Sequence, residues 1–532
     1  MQTKSGSFET PTLFPVINPT IQLISPKSMY QDFGCEAIIT NAYLLKRRFM
    51  EQTIKKGIHD FLDFEGVILT DSGAYQILEY GEVSVSPPEI VKYQEEINTD
   101  IATILDIPTG WKKSSEYVQY TVDETLKRAK ELEKIKTRED IAWMGPIQGG
   151  QCLDLVAHSA RKMAELPFQI YALGSPTEIM KQYLFGTLVE MILTAKMNLP
   201  PERPLHLFGA GHPFMFALVI ALGCDSFDSA AYSIYAKDGR YLTERGTYRI
   251  KNLKYFPCSC PICTKNTPKD ILELSDIERE RIVAMHNLYV SLSEVKRIRQ
   301  AISEGRLWEL LEVRMRGHPS LLQAFKRIKK YKNYLEKQSL VTKKKGLFFF
   351  GSLESLRPEV IRHRKRLNER YSKPREADIL LLIPRKKTKI LHRYRGYERI
   401  MTLTHQEIEE PTSKIHICSY GVPFGVIPIE LDEVYPLSHY EISTPVEQET
   451  VIYVSKQITE YITGSDYRGV ILLFDSQSNI EEITTSCKAI CNRDGIQFIA
   501  VKTKQLWSNN ALDAITNALI RLKSISRDSL SE

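Results

Sequence analysis

Residues 67–76 read Val-Ile-Leu-Thr-Asp-Ser-Gly-Ala-Tyr-Gln, a short strand-forming run that leads directly into Asp71-Ser72-Gly73. Similar apolar runs recur through the first 260 residues, separated by amphipathic segments; they are residues 37–40, 67–70, 101–105, 143–147, 170–173, 205–208 and 226–227. Buried strands that alternate with helices indicate a parallel sheet covered on both faces. Seven or eight such units in this length favour an α/β fold, the (β/α)8 TIM barrel.

Polar residues and glycines follow these runs at equivalent positions, namely Asp71, Ser72, Asp106, Gln148, Gly174, Gly209 and Asp228. In a TIM barrel all of them would lie at the C-terminal ends of the strands, where active sites are built. A single aspartate there is usually a turn or helix-cap residue. Three aspartates and a glutamine at the same relative place instead indicate a binding site. Asp225 would point to the opposite face of its strand from Asp228, so we expect it to be structural.

The chain of 532 residues is too long for one ordinary domain and suggests about three units. Its nine cysteines are too few for a disulfide scaffold. The first 16 residues lack the apolar segment of a signal peptide, and no apolar stretch reaches the roughly 20 residues of a membrane span. These features predict a cytoplasmic protein.

Positive charge is concentrated in residues 326–399, which contain 24 Lys/Arg and 7 Asp/Glu. This net charge of +17 leaves −11 for the rest of a chain whose formal charge is +6. Aromatic residues, including Tyr331, Tyr334, Tyr371 and Tyr394, are interspersed among the charges. A solvated helical face is the simpler interpretation, but so long a basic segment favours contact with a nucleic-acid backbone.

Three cysteines, Cys258, Cys260 and Cys263, are followed after 22 residues by His286. Three thiolates and one imidazole form a closed, structural Zn²⁺ site, because no coordination position remains for water. Ser275 and Glu278 resemble a capping box, which predicts that His286 lies on a helix and faces the cysteines. His206 and His212 are alternative fourth ligands, although no spacing rule supports them.

Five short motifs occur in a fixed order together with this Cys/His pattern. They are residues 71–76 (Asp-Ser-Gly-Ala-Tyr-Gln), 105–108 (Leu-Asp-Ile-Pro), 148–150 (Gln-Gly-Gly), 172–174 (Ala-Leu-Gly) and 227–229 (Phe-Asp-Ser). In this order the chain resembles the tRNA-guanine transglycosylases over about residues 10–325. The resemblance implies a TIM barrel with a zinc subdomain at about residues 250–300 that exchanges a guanine base in tRNA for a 7-deazaguanine.

Three further segments, residues 107–108, 208–213 and 420–425, are similar to the archaeal branch of that family. The resemblance implies that the target is guanine 15 in the D-arm of archaeal tRNA. It also implies that the incoming base is 7-cyano-7-deazaguanine (preQ0), in a step of archaeosine biosynthesis. Family members pair around the zinc region, so a homodimer is expected.

Each candidate site residue has an expected role. The match to the Phe-Asp motif implies that Asp228 is the nucleophile of a covalent glycosyl-enzyme. Asp71 is expected to be the general acid/base. The expected base-binding residues are Asp106, Gln148, the Gly174 amide, Ser72 and the stacking ring of Tyr75, which stands where the family usually has Phe.

The C-terminal half is expected to form one or two small α+β accessory domains. The pattern predicts strands at residues 377–384, 414–419, 451–454 and 469–474, and helices at residues 358–371, 455–462, 479–492 and 511–525. The predicted domains are residues 1–325 (catalytic), 326–345 (basic linker), 346–440 (accessory, tRNA-facing) and 441–532 (second accessory). The PUA domain common in archaeal members is not recognised, so we expect it to be absent or supplied by a separate polypeptide.

Three other functions are compatible with parts of the sequence. One is a non-catalytic tRNA-binding paralogue or partner subunit, against which the retained Asp71, Asp106 and Asp228 argue. Another is an archaeosine-synthase-like protein that acts on the base after its insertion. The third is a barrel hydrolase unrelated to RNA, which the basic segment disfavours.

Overall fold

The structure is a computed structural model that describes residues 1–76, 85–385, 397–400, 415–475 and 481–528. It divides into two compact units, Met1–Tyr331 and Lys332–Glu532. Parts of the sequence predictions lie outside the described residues: Tyr394 with the rest of residues 386–396 in the basic segment, residue 414, and residues 479–480 at the start of a predicted helix.

Within the described residues, the first unit contains a closed barrel of eight parallel strands in sequential order. The strands are β1 (Thr12–Ile17), β2 (Ala37–Asn41), β3 (Val67–Asp71), β4 (Ile101–Thr103), β5 (Ala142–Ile147), β6 (Ile170–Leu173), β7 (Leu205–Leu207) and β8 (Ser226–Ser229). Strand β1 closes the barrel by pairing with both β2 and β8. The predicted TIM barrel is therefore confirmed. Strand β1 was not among the predicted runs, and Pro15 within it weakens the local strand signal.

The helices of the first unit cover the barrel with amphipathic faces. They are α1 (Pro26–Gln31), α2 (Ala42–Lys56), α3 (Ile58–Leu62), α4 (Pro87–Glu96), α5 (Ser115–Ile135), α6 (Leu153–Ala164), α7 (Thr177–Lys181), α8 (Phe185–Met197), α9 (Phe216–Ala221) and α10 (Ala231–Lys237). On α5, for example, the buried residues Val118, Val122, Leu126, Ala129 and Leu132 recur every three or four positions. This burial fixes each helix against the strands and leaves the strand ends free to carry the site.

A subdomain follows the last barrel helix. It consists of the hairpin β9 (Arg240–Thr243) and β10 (Gly246–Arg249), then α11 (Pro268–Glu273), the long helix α12 (Asp276–Ser303), α13 (Leu307–Met315) and α14 (Pro319–Arg327). The Ser275 hydroxyl accepts a hydrogen bond from the Glu278 N–H and so caps α12. The predicted start of this helix is confirmed.

The second unit is built on a five-stranded mixed sheet within the described residues, in the order β14 (Gly425–Pro428), β13 (Ile415–Gly421), β12 (Ile379–Pro384), β16 (Gly469–Asp475) and β17 (Gln497–Thr503). Strands β11 (Leu347–Phe349) and β15 (Tyr440–Ile442) form a separate pair. The helices are α15 (Lys332–Gln338), α16 (Pro358–Glu369), α17 (Gln448–Thr463), α18 (Glu481–Arg493) and α19 (Asn509–Asp528).

The structure of the C-terminal half differs from the sequence predictions at three places. Residues 451–454 are not a strand but lie within α17, because Val451, Val454 and Ile458 share one buried helical face. The five-stranded sheet takes strands from both sides of residue 440, so residues 346–440 and 441–532 are not separate folding units. The expected linker 326–345 contains the end of α14 and all of α15.

No helix in the described part of the chain combines the length and the apolar character needed to cross a bilayer.

Candidate active site and metal centre

Asp71 ends strand β3 and is held by its neighbours. Its carboxylate accepts a hydrogen bond from Asn41 Nδ2 at 3.1 Å, and the same amide nitrogen donates to Gln76 Oε1 at 2.9 Å. Burial, together with the negative charges of Asp106 and Asp228, raises the pKa of Asp71 to about 7. Asp106 and Asp228 thus both lie within electrostatic reach of Asp71, and Asp71 can exchange a proton near neutral pH.

The turn after Asp71 requires glycine at its next-but-one position. Gly73 has φ +96°, and a Cβ there would lie 2.4 Å from Cβ of Tyr43. Ser72 is fully buried, and its hydroxyl oxygen has no hydrogen-bond partner among the described residues. A buried hydroxyl without a partner is costly unless a ligand or water bonds to it. Ser72 therefore fits a substrate contact.

Asp106 lies in the segment that follows β4, and Gln148 directly follows β5. Gln148 Nε2 donates to Asp106 Oδ2 at 2.5 Å. Gln148 Oε1 in turn accepts from the Thr109 amide and hydroxyl and from the Ser175 hydroxyl, at 3.0–3.1 Å. Burial raises the pKa of Asp106 to about 6, against the opposing effect of the Gln148 bond. The pair is a preorganised, buried group of donors and acceptors.

Gly174 has a different part in the site from the one its sequence position predicts. Its N–H donates to the Ile147 carbonyl at 2.9 Å, so this amide is already used within the barrel and is not free for a base. A Cβ at Gly174 would lie 2.2 Å from Nε2 of Gln148. The absence of a side chain at Gly174 therefore leaves the space that Gln148 needs to reach Asp106.

Asp228 lies within β8 and is buried apart from 13% of its side chain. Its Oδ1 accepts from the Gly209 N–H at 2.8 Å and contacts His206 Nε2 at 3.1 Å. Asp225, by contrast, accepts from the Leu205 N–H at 2.9 Å and contacts Lys196 at 3.4 Å. Asp225 thus joins the starts of two strands, whereas Asp228 reaches the site.

Tyr75 lies at the edge of the site with 38% of its surface exposed. The hydrogen bond from Lys181 to Glu178, at 2.7 Å, and contact with Tyr75 hold the pKa of Lys181 above its usual value. Part of the Tyr75 side chain therefore faces solvent.

The four predicted metal ligands form one cluster whose donor atoms all lie within 4.8 Å of one another. Sγ of Cys260 is 3.6 Å from Sγ of Cys263, and these two atoms lie 3.5 and 3.3 Å from Nδ1 of His286. A tetrahedral zinc site with Zn–S of about 2.3 Å and Zn–N of about 2.0 Å has edges of about 3.5–3.8 Å. The cluster can therefore hold a metal such as zinc.

Contacts around the cluster orient its histidine. His286 Nε2 bonds to the Leu242 carbonyl at 2.9 Å, which leaves Nδ1 for the metal. The ring of Tyr241 stacks on His286 at 3.6 Å between centroids. The alternatives His206 and His212 do not belong to the cluster, since His206 contacts Asp228 and His212 accepts from the Phe214 N–H.

Comparison with known proteins agrees with this architecture. The family model for queuine tRNA-ribosyltransferase matches residues 1–320. The chain is 40% identical over 497 residues to the tRNA-guanine(15) transglycosylase of Saccharolobus solfataricus, an alignment that covers 91% of this chain and 96% of the relative. The chain belongs to the tRNA-guanine transglycosylase family.

Other relatives of this transglycosylase family carry the same name. The tRNA-guanine(15) transglycosylase of Sulfolobus acidocaldarius is 38% identical over 480 residues, covering 89% of this chain and 92% of the relative. That of Methanocaldococcus jannaschii is 44% identical over 454 residues, and the match spans 84% of this chain but 66% of the longer relative. Residues 360–519 match a domain of unknown function, DUF5591.

Sequence reasoning missed two polar partners of the family's acidic residues. Asn41 caps α2 and also bonds to Asp71, and His206 contacts Asp228. Neither carries a motif of its own. The period of two along a strand could have shown that Ser226 and Asp228 lie on the same face of β8. It could not have placed His206 beside them, because that depends on the register between β7 and β8.

Proposed function

We propose that this chain replaces guanine at position 15 of archaeal tRNA with preQ0, as a tRNA-guanine(15) transglycosylase. The observation that carries the proposal is the meeting of Asp71, Asp106 and Asp228 at the strand ends of one barrel, where burial and the charges of the other two raise the pKa of Asp71. Such a site can cleave and re-form a glycosidic bond. The exchange needs no separate energy source, because one glycosidic bond is broken and another of the same kind is formed.

In the first step of the exchange, the nucleophile is the carboxylate of Asp228. With Oδ1 engaged by His206 and Gly209, Oδ2 of Asp228 attacks C1′ of the nucleotide. The C1′–N9 bond breaks, its electron pair stays on guanine, and a covalent glycosyl-enzyme forms. The incoming preQ0 then attacks C1′ through N9, and the Asp228 carboxylate leaves.

Asp71 carries the proton in both halves of the exchange. It donates a proton to the departing guanine and accepts one from the incoming preQ0, so that it ends in its starting state. A pKa of about 7 suits both tasks, because neither the acid nor its conjugate base is scarce at neutral pH.

Base recognition falls to the buried polar group beside the acids. Asp106 accepts from the ring N–H and the exocyclic amine of the base, while Gln148 addresses its carbonyl side. Ser72, whose hydroxyl has no partner among the described residues, bonds to the base or its substituent, and Tyr75 stacks on the ring. A base that cannot satisfy these groups leaves them unpaired, which disfavours its binding. The target nucleotide must leave its stack to enter the site.

The metal and the partners complete the proposal. One Zn²⁺ is held by Cys258, Cys260, Cys263 and His286 in a structural role. The basic stretch within residues 326–399 contacts the tRNA backbone from an accessory region, and the protein works in the cytoplasm as a homodimer. A separate PUA-domain polypeptide is a further candidate partner for tRNA binding.

The decisive experiment measures incorporation of labelled guanine into an archaeal tRNA transcript. We expect incorporation that requires guanine at position 15 and that unlabelled preQ0 blocks. Asp228→Ala should lower the rate by at least about 1,000-fold, because the covalent step is lost. The matched control is Asp225→Asn, which should retain most of the activity, since its contacts lie at the other end of the strand.

Other outcomes would identify the alternatives. Binding of tRNA without incorporation, even with a PUA-domain polypeptide added, would contradict the proposal and favour a non-catalytic partner subunit. Activity only on tRNA that already contains preQ0 would instead favour an archaeosine-synthase-like role. Equal activity of wild type and Asp228→Ala would reject Asp228 as the nucleophile.

A further inference from the structure

His206 lies at the centre of β7, with its side chain fully buried. It pairs in register with Ser226 of β8. Its Nδ1 lies 2.9 Å from the Ser226 hydroxyl, and its Nε2 lies 3.1 Å from Oδ1 of Asp228. The rings of Phe14 and Phe208 pack edge-on against the imidazole at 5.8 and 5.1 Å between centroids. Both ring nitrogens are therefore directed at alternate residues of β8, and the ring cannot rotate freely.

The two contacts determine which nitrogen of His206 carries its proton. An ionised Asp228 can only accept, so Nε2 must be the donor toward it. The Ser226 hydroxyl can donate to Nδ1, which stabilises the tautomer with the proton on Nε2. The chain Ser226–His206–Asp228 thus presents a fixed N–H to one oxygen of the carboxylate.

The other donor to Asp228 reaches the same oxygen. The Gly209 N–H bonds to Oδ1 at 2.8 Å, while Oδ2 receives no hydrogen bond from the residues that the structure describes. Two donors on Oδ1 fix the plane of the carboxylate and leave Oδ2 as its more nucleophilic oxygen. A histidine that served only to fill the barrel core would not need this placement.

We propose that His206 is a positioning residue for the nucleophile, an inference that rests on the proposed function. Through its Nε2–H, it holds Oδ1 of Asp228 so that Oδ2 faces C1′ of the nucleotide, and Ser226 holds His206 in the required tautomer. His206 itself does not touch the substrate. Its effect therefore falls on the covalent step and not on the binding of tRNA.

Two substitutions of similar size separate this role from simple packing. In His206→Gln, the side-chain amide can place its nitrogen near the position of Nε2 and still donate to Asp228. In His206→Asn, the shorter amide reaches only the position of Nδ1, beside Ser226. We expect His206→Gln to keep the rate of glycosyl-enzyme formation within about fivefold of wild type and His206→Asn to lose about 100-fold, as for a displaced catalytic group.

The readouts are single-turnover formation of the covalent tRNA–enzyme complex on denaturing gels, KM for tRNA, and thermal unfolding. The inference predicts unchanged KM for both variants, and in Ser226→Ala a smaller loss of rate than in His206→Asn. Equal losses in the Gln and Asn variants, or losses that follow the melting temperature, would overturn it. Should His206→Asn fail to fold, a rate for His206→Gln as low as that of a folded His206→Leu would also overturn it. A wild-type protein that incorporates no guanine would instead reject the proposed function.

Discussion

At the scale of single residues, Asp71 shows how a buried residue of the candidate site lowers the free energy of unfolding. Its folded pKa of about 7 is well above the ordinary value of 3.8, chiefly because of burial and then because of Asp106 and Asp228. Between these two values the folded state binds more protons than the unfolded chain does. The free energy of unfolding therefore falls as the pH rises from about 4 to about 7.

Asp71→Asn removes this cost because an amide does not ionise. We expect the variant to be inactive but to have a free energy of unfolding above that of wild type at pH 8, by about 4 kcal/mol. The difference should vanish below pH 4, where Asp71 is protonated in both states. Urea unfolding across this pH range measures it, with Asp123→Asn on the exposed face of α5 as the control. A difference in the free energy of unfolding between Asp71→Asn and wild type that does not change with pH would contradict the raised pKa of Asp71.

At the scale of elements, the cluster of Cys258, Cys260, Cys263 and His286, the candidate metal site, lies between the hairpin β9–β10 and helix α12. His286 bonds to the Leu242 carbonyl, and the adjacent Asn287 accepts from the Leu242 N–H at 2.8 Å and donates to the Arg240 and Tyr232 carbonyls. Two consecutive residues of α12 thus connect the cluster to the hairpin, because His286 belongs to the cluster and both His286 and Asn287 bond to the hairpin. Since ligands held by a metal add their binding free energy to folding, loss of the metal should loosen this whole subdomain.

Cys260→Ser tests the link. We expect one zinc per chain in the wild type and a deficit in the variant, with a melting temperature lower by on the order of 10 °C. Strong chelators should lower the melting temperature of wild type in the same way. The matched control is Cys152→Ser, outside the cluster, which should keep both the metal and the stability. Full zinc content in Cys260→Ser, measured by elemental analysis, would reject the ligand set.

At the scale of the whole molecule, charge is divided unequally along the chain. The basic segment is proposed to bind the tRNA backbone, and its described part includes the exposed Arg366 and Arg370 at the end of α16. Phosphate contacts release counterions, so binding that depends on them weakens steeply with salt.

We expect the double variant Arg366→Glu/Arg370→Glu to bind tRNA about tenfold more weakly and to lower the salt slope by about 1–2. The rate at saturating tRNA should not change, because neither residue belongs to the site. Lys130→Glu/Lys134→Glu on α5 makes the same change of charge on exposed barrel residues and serves as the control. Filter binding over a range of salt concentrations measures both. Equal weakening by the two variants would indicate a general effect of net charge.

Local sequence pattern was sufficient to predict an element or a ligand set where one physical signal dominated. Period and turn residues predicted β2 to β8, and the Cys/His spacing predicted the metal cluster with His286. It failed where long-range contacts decided the outcome. Residues 451–454 are rich in β-branched side chains, which favour a strand locally, yet burial of one face of α17 against its unit makes them helical.

The amino-acid sequence alone determined the repeating strand–helix pattern, the order of the acidic residues and the four residues of the candidate metal site, because each depends on residues close together in the chain. Only the tertiary structure decided that the Gly174 N–H donates to the Ile147 carbonyl and that one sheet takes strands from both sides of residue 440. It also decided that His206 contacts Asp228, the proposed nucleophile. These features depend on strand register and burial, which bring distant residues together and have no local signature.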